Sequence, residues 1–203
     1  MRLYPRSVAY DALAQSVALI ESLQLVRVER LSRRRRFVAM SVDVDDGNGL
    51  AVTSFARRGA GCTWHATHVL ARRQGRWVLL GGGGCGGDED LLVDRPPVLS
   101  EWSNAAKPPG LIEAHGRSLL LSGSAGGVHD SGGGADRWPW SGRWVSHQEV
   151  RASATVQSLS IAGRALQVPW HGRVVVIWIG RREPPVQARD RSGRTIDEVV
   201  LTT

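Results

Sequence analysis

The amino-acid sequence predicts an α+β protein that is mostly β, in which an N-terminal helix with antiparallel hairpins precedes an antiparallel β-sandwich. Three observations support this fold class. One helical stripe of apolar residues lies near the N-terminus, turn signals then separate short alternating segments, and a run of β-branched residues, RVVVIWI, occupies 173–179. The hydrophobic fraction is 42%, which is enough for a folded core and excludes a wholly disordered chain.

The helix is predicted from apolar residues that recur every three or four positions. The residues of this stripe are Tyr10, Leu13, Val17 and Ile20. Ser7 is a candidate N-cap, and Asp11 falls in the first turns, where the helix dipole favours an anion. We expect the helix to end near 24–27, where the stripe stops.

Two antiparallel hairpins are predicted after the helix. The first pairs 37–44 with 50–55, across a turn that contains both a D-G and an N-G dipeptide. The second pairs 63–71 with 76–80, across a turn at 73–75. Together they predict four consecutive antiparallel strands.

A glycine run at 81–87 follows the second hairpin, and we interpret it as a flexible end of the last strand. A phosphate-binding loop is not indicated, because the Lys-Ser/Thr pair that completes such a loop is absent. The predicted register places Cys62 opposite Gly87, two residues from Cys85, which makes a disulfide one hypothesis. Two reduced thiols are the other hypothesis, and a cytoplasmic location favours it.

The second half of the chain predicts a β-sandwich, because short strands alternate with turn signals about every 8–12 residues. Residues 122–136 contain six glycines and predict a mobile loop. The predicted strands begin at Leu119–Leu121 and continue at 152–161, 165–168, 173–179, 186–190 and 195–201. We divide the chain into a helix-plus-hairpins unit at 1–95, a proline-containing linker at 96–110, and a β-sandwich-like unit at 111–203.

We predict a soluble, cytoplasmic protein that carries no cofactor and does not enter a membrane. Asp11, Gln15 and Glu21 interrupt the apolar part of the first 25 residues, so no secretory leader is predicted. Two cysteines do not make a disulfide scaffold. No metal site is predicted either: Cys62, His65 and His68 have a zinc-like spacing, but residues three apart on a strand point to opposite faces.

The net charge of +7 raises the question of a nucleic-acid partner. Arg33–Arg36 is a run of four like charges that could contact phosphates. Only Phe37 supplies an aromatic ring nearby, so a platform for stacking bases is missing. We therefore interpret the run as a solvated segment beside an edge strand and rank nucleic acid below the other partners.

Trp138, Trp140 and Trp144 form the candidate ligand-binding surface. They have the same parity, so an extended segment presents all three on one face. Such a face can bind a sugar ring, a proline-rich peptide or an apolar patch of another protein. The alternative interpretation is that the three indoles fold back over the sandwich core.

We therefore predict a non-enzymatic binding or interaction module that uses this Trp-rich surface, with a protein, a peptide or a glycan as its partner. The competing hypothesis is a hydrolase-like enzyme with a His/Asp site between the two units, built from His129, Asp130 or His171. A convergent His–carboxylate pair in a deep pocket would favour the enzyme. Exposed indoles without such a pocket would favour the binding module.

Overall fold

The computed structural model of the chain describes residues 9–99, 117–132, 142–180 and 182–201. Within these ranges the fold is α+β and mostly β, as the sequence predicts. The elements are α1 (Ala12–Ser22), β1 (Phe37–Asp45), β2 (Leu50–Arg58), β3 (Thr63–Arg73), β4 (Arg76–Gly87), β5 (Leu119–Asp130), β6 (Arg143–Ala152), β7 (Ser158–Ile161), β8 (Arg164–Gln167), β9 (Arg173–Ile179), β10 (Pro185–Arg189) and β11 (Thr195–Val200).

Helix α1 begins directly after Asp11, which caps it. The Asp11 carboxylate accepts a hydrogen bond of 3.0 Å from the backbone N–H of Ala14, a donor that has no partner within the helix. The helix ends at Ser22 because Leu23 adopts a left-handed conformation, with a φ of 51°. The predicted end at 24–27 is therefore too far along the chain, and the predicted cap Ser7 lies outside the described residues.

Strands β1 to β4 form a four-stranded antiparallel sheet in chain order, which confirms both predicted hairpins. The interpretation of 81–87 as a flexible strand end is wrong, because β4 stays paired with β3 as far as Gly87. The predicted register holds only near the turn. A bulge beside Val69 shifts it by one residue, so Thr63 rather than Cys62 lies opposite Gly87.

A second sheet contains three strands in the order β5-β6-β9. The predicted mobile loop at 122–136 is wrong over most of its described length, since β5 continues to Asp130. Its glycines serve close packing instead of flexibility. A Cβ atom added at Gly126 would lie 2.9 Å from Cε1 of His147, so the imidazole ring packs directly against this glycine.

The third sheet has the order β11-β10-β7-β8. The predicted strand at 152–161 is divided, because β6 ends at Ala152 and β7 begins only at Ser158. The predicted turn at Ala162 and Gly163 is confirmed: both residues have a positive φ, 46° and 81°, as the tight hairpin turn requires.

The first and second sheets pack face to face and share one apolar cluster. Strands β2 and β3 of the first sheet contribute Leu50, Val52, Val69 and Ala71, and β6 and β9 of the second contribute Val145, Val175 and Ile177. The predicted 1–95 and 111–203 units therefore meet in a common core. The domain boundaries themselves stay a prediction, and most of the predicted linker lies outside the described residues.

No helix in the described part of the chain is long and apolar enough to cross a membrane.

Candidate active site

A group of polar side chains interrupts the apolar core at one end of the packed sheets. His65 of β3 points from the first sheet toward Glu149 of β6 in the second. At the other end of the same strands, Val69 and Val145 lie together in the apolar cluster. The two strands thus run alongside each other, and the apolar core gives way to titratable groups toward His65 and Glu149.

Glu149 lies at the centre of this group and is almost completely buried, with a side chain 1% exposed. Arg173 donates a hydrogen bond of 2.7 Å from Nη1 to its Oε1. The imidazole Nε2 of His65 lies 3.1 Å from its Oε2, but the two groups are not aligned as a hydrogen bond. Because a buried carboxylate needs compensation, the charge of Arg173 holds Glu149 in place.

His65 is neutral in this environment. Burial lowers the pKa of its imidazole, and the carboxylate of Glu149 opposes that shift. A neutral imidazole can accept a proton, which is the property that a general base requires. The contact with Glu149 uses Nε2 and leaves Nδ1 for another partner.

Cys85 is the nearest nucleophilic residue. The bulge in the β3–β4 pair places it directly opposite His65. Residues directly opposite in antiparallel strands point to the same face, with Cβ atoms about 4.5–5.5 Å apart, so the thiol and the imidazole lie within reach of each other. They are not hydrogen-bonded to each other in this structure; catalytic pairs of this kind often tighten only when substrate binds.

The disulfide hypothesis does not hold in this structure, because both cysteines are free. The register shift separates them onto opposite faces of the sheet. Cys62 lies on the outer face beside Trp64, where a Cβ atom added at Gly86 would lie 3.4 Å from its Sγ. Cys85 lies on the inner face, which it shares with His65.

A cleft of about 240 Å³ gives access to these groups from solvent. Cys85, His65, Glu149 and Arg173 all line it. The glycines of β4 supply no side chains that could cover it, and Ser122 and Ser124 of β5 form the opposite wall. A buried His–carboxylate pair with a thiol beside it, reachable through a cleft, can support nucleophilic chemistry.

No protein family, curated protein or solved structure matches this chain. The geometry of the cleft is therefore the basis for assigning a function.

Two further residues fix the position of Arg173. The Nδ1 atom of His171 accepts a hydrogen bond of 3.1 Å from the backbone N–H of Arg173, and its Nε2 lies 3.1 Å from the carbonyl oxygen of Met40. Glu89 forms an ion pair with the Arg173 guanidinium at the mouth of the cleft. His171 thus reaches the site as a positioning residue, although it does not line the cleft.

The other two residues of the enzyme hypothesis do not form a site with each other. Asp130 is buried and forms ion pairs with Arg73 and Arg143, whereas His129 is exposed on the opposite face of β5. Asp130 therefore holds strands together, and it does not line the His65 cleft.

The predicted Trp-rich surface is described only in part. Trp144 is 47% exposed, and its indole lies over Gly127, next to the ring of His129 at a centroid distance of 6.4 Å. Trp138 and Trp140 lie outside the described residues. Of the three indoles, the structure describes only that of Trp144, which is exposed.

Sequence reasoning missed the site because its residues lie far apart in the chain. The sequence pattern gives His65 only a zinc-like spacing and Cys85 only a possible disulfide with Cys62, and Glu149 lies outside every predicted site. One signal was present: in the segment 143–152, Val145, His147 and Glu149 have the same parity, so a strand would place charged and apolar residues on one face. A charged residue on an inward face indicates a partner in the core.

Proposed function

We propose that the protein is a thiol-dependent hydrolase in which Cys85 is the nucleophile and His65 the general base. The observation that carries this proposal is the placement of Cys85 directly opposite His65, whose Nε2 lies 3.1 Å from the buried carboxylate of Glu149, in a solvent-accessible cleft. A His–carboxylate pair in a pocket is also the feature that separates the enzyme hypothesis from the binding module.

The reaction follows from the chemistry of these three groups. His65 accepts the thiol proton while the Cys85 sulfur attacks the carbonyl carbon of an ester or amide. The C–O or C–N bond of the substrate then breaks, and the leaving group takes the proton from His65. A water molecule hydrolyses the resulting thioester with the same imidazole as base, which releases the acid and restores the thiol.

Glu149 and Arg173 support the base without touching the substrate carbon. The negative charge of Glu149 stabilises the imidazolium that forms on His65 during the attack. Arg173 donates a hydrogen bond to Glu149 and supplies a compensating positive charge when His65 is neutral. Both act as positioning residues for His65.

Replacing Cys85 by alanine is expected to lower kcat/KM for small thiol-labile esters by at least about a thousandfold, because the nucleophile is lost. Initial rates with a panel of p-nitrophenyl esters of short acids measure this. Cys62→Ala is the matched control: its thiol lies on the outer face of the same sheet, so the rate should stay within about twofold of the native rate. A second readout is the pH profile, whose acid limb should lie below about pH 6.5, since burial lowers the pKa of His65.

The proposal would be wrong if Cys85→Ala hydrolysed the esters as fast as the native chain. It would also be wrong if iodoacetamide modified Cys62 and Cys85 without any loss of activity, or if no ester in the panel were hydrolysed faster than in buffer.

The exposed indole of Trp144 supports a second candidate function, the binding of a glycan, a peptide or another protein. An indole that is 47% exposed leaves much of its face for a ligand, and Gly127 beneath it leaves the indole room to lie against β5. In this proposal the partner stacks on Trp144, together with Trp138 and Trp140.

Replacing Trp144 by alanine is then expected to weaken binding of cellohexaose, chitohexaose or poly-L-proline at least about tenfold, measured by calorimetry, because stacking on an aromatic ring is lost. Trp64→Ala is the matched control, since Trp64 is 45% exposed on another sheet. Equal affinities of the native chain and Trp144→Ala, or no binding of any of the three probes, would contradict this proposal.

A further inference from the structure

Within the described residues, β4 is an edge strand whose outer side has no pairing strand. β4 is the last strand of the first sheet, and no described strand hydrogen-bonds to its outer side. Every second residue of such an edge presents an N–H and a C=O that can pair with another strand.

Beyond the bulge at 79–81, where β4 carries one extra residue, this edge lacks the features that normally protect an edge strand. Residues 82–87 are all exposed, and five of the six are glycine. They include no proline and no charged side chain, and the strand is 12 residues long. Natural proteins protect such edges with charge, proline, bulges or a short strand. Glycine within a strand also marks a place where another backbone approaches closely.

The same stretch borders the cleft. At one end β4 touches β5, since a Cβ atom added at Gly81 would lie 2.7 Å from Cγ1 of Val128. Two residues further along β4, a Cβ atom added at Gly83 would meet nothing within 4 Å. After Gly83, the strand reaches Cys85, which lines the cleft together with Ser124 of β5. The exposed edge therefore runs directly past the mouth of the candidate active site.

We propose that the substrate is an extended peptide that adds to β4 as a further strand along 82–87. Neighbouring strands lie about 4.8 Å apart, so this pairing brings a backbone carbonyl of the peptide next to the Cys85 thiol. The inference rests on the proposed function for its chemistry, and it adds the substrate class. Peptide bonds supply both the alternating N–H and C=O groups that the edge needs and the carbonyl carbon that a thiolate attacks.

A second cavity gives the peptide room beyond the cleft. It has a volume of about 480 Å³ and shares Thr63, Gly87 and Glu89 with the cleft. Arg30 and Arg58 line it together with Asp88 and Asp90. The two cavities therefore adjoin at the end of β4, where a bound peptide would leave the strand.

Hydrogen–deuterium exchange with the full-length Cys85→Ala chain tests the pairing, because that variant can bind a peptide without cleaving it. With an equimolar library of N-acetylated hexapeptide amides as the probe, we expect exchange within 82–87 to slow by at least about tenfold. A library N-methylated at every amide should leave the exchange unchanged, since it cannot donate hydrogen bonds. No slowing with the unmodified library would overturn the inference.

A charge placed on the inner side of the edge gives an independent test. Gly83→Lys has open space for its Cβ atom, and an inward charge on an edge strand discourages strand addition. We expect it to weaken peptide binding at least about tenfold. Gly47→Lys adds the same charge in the β1–β2 turn and should leave the affinity unchanged. Equal affinities of the two lysine variants would contradict the inference.

The outcomes separate this inference from the proposed function. If the chain hydrolyses small esters but peptides do not slow exchange, the proposed hydrolase stands and the peptide substrate is wrong. If the chain binds peptides but hydrolyses no ester, strand addition to β4 stands and the proposed hydrolase is wrong. A dimer of the native chain in sedimentation, with 82–87 already protected from exchange, would mean that a second copy pairs with β4, and it would overturn the inference.

Discussion

Replacing Arg164 by methionine is expected to lower the free energy of unfolding by about 3–5 kcal/mol, because it leaves a buried carboxylate without its counter-charge. Arg164 lies in the β7–β8 hairpin and reaches across to Asp43 of β1, whose side chain is 0% exposed. Its Nε and Nη2 donate to the two carboxylate oxygens at 3.0 and 2.9 Å. A bidentate pair of this kind ties the third sheet to the first.

The environment of Asp43 explains why the loss is large. Burial raises the pKa of this carboxyl, and the Arg164 guanidinium opposes the shift. Once Arg164 is removed, the backbone N–H of Ile177, at 2.9 Å, is the one donor to the carboxylate that remains among the described residues. Protonation of Asp43 would then remove its unpaired charge. The loss in free energy of unfolding caused by Arg164→Met should therefore become smaller as the pH falls.

Urea unfolding followed by tryptophan fluorescence measures the effect. Arg76→Met is the control, because Arg76 is exposed at the start of β4, and its change should stay within about 0.5 kcal/mol. The double variant Asp43→Asn/Arg164→Met should recover part of the loss, since the unpaired charge is gone. A loss below about 1 kcal/mol for Arg164→Met would mean that the pair does not stabilise the fold.

Acidification is expected to remove about 3 kcal/mol of stability through His171 alone as the pH falls from about 6.5 to about 4. Burial lowers the pKa of His171 to about 4, and the charge of Arg173 acts in the same direction. The hydrogen bonds also require the neutral form: Nδ1 accepts from the backbone N–H of Arg173.

The sign of this dependence follows from the protons bound by each state. The unfolded chain has an ordinary histidine and binds a proton below about pH 6.5, whereas folded His171 stays neutral until about pH 4. The stabilisation is therefore complete above about pH 6.5 and is lost as the pH falls between these two values. Burial lowers the pKa of His65, His68 and His147 in the same direction, so they add to the loss.

Urea midpoints measured between pH 7.5 and pH 4.5 check this expectation. His171→Gln can keep one hydrogen bond and has no titratable ring, so its stability should depend less on pH than that of the native chain. If this variant does not fold, an NMR titration of the native chain measures the pKa of the His171 ring directly. Unchanged native stability down to pH 4.5, or a ring pKa near 6.5, would show that His171 is not held neutral.

Strand and turn patterns gave accurate predictions wherever the local signal was strong. RVVVIWI at 173–179 is β9, and the D-G and N-G turn lies between β1 and β2. Glycine was the main source of error. The runs at 81–87 and 122–136 predicted flexibility, yet both contribute to long strands, because glycine fits where another strand or a ring approaches closely.

The candidate site depended on a detail that the hairpin turn alone does not reveal. A turn at Gln74 and Gly75 predicts Cys62 opposite Gly87, and a single bulge beside Val69 changes the partner of His65 to Cys85. Such a bulge moves every later side chain relative to its neighbour by one position, which exchanges the faces.

By itself the sequence determined the class of the fold, the helix, most of the strands and the tight turns, because these depend on residues close together in the chain. Only the tertiary structure decided which strands stack. That stacking brings His65, Cys85, Glu149 and Arg173 into one cleft, although Cys85 and Glu149 lie 64 positions apart. Contacts between distant residues depend on how two sheet faces pack together, and local sequence patterns do not determine which faces do so.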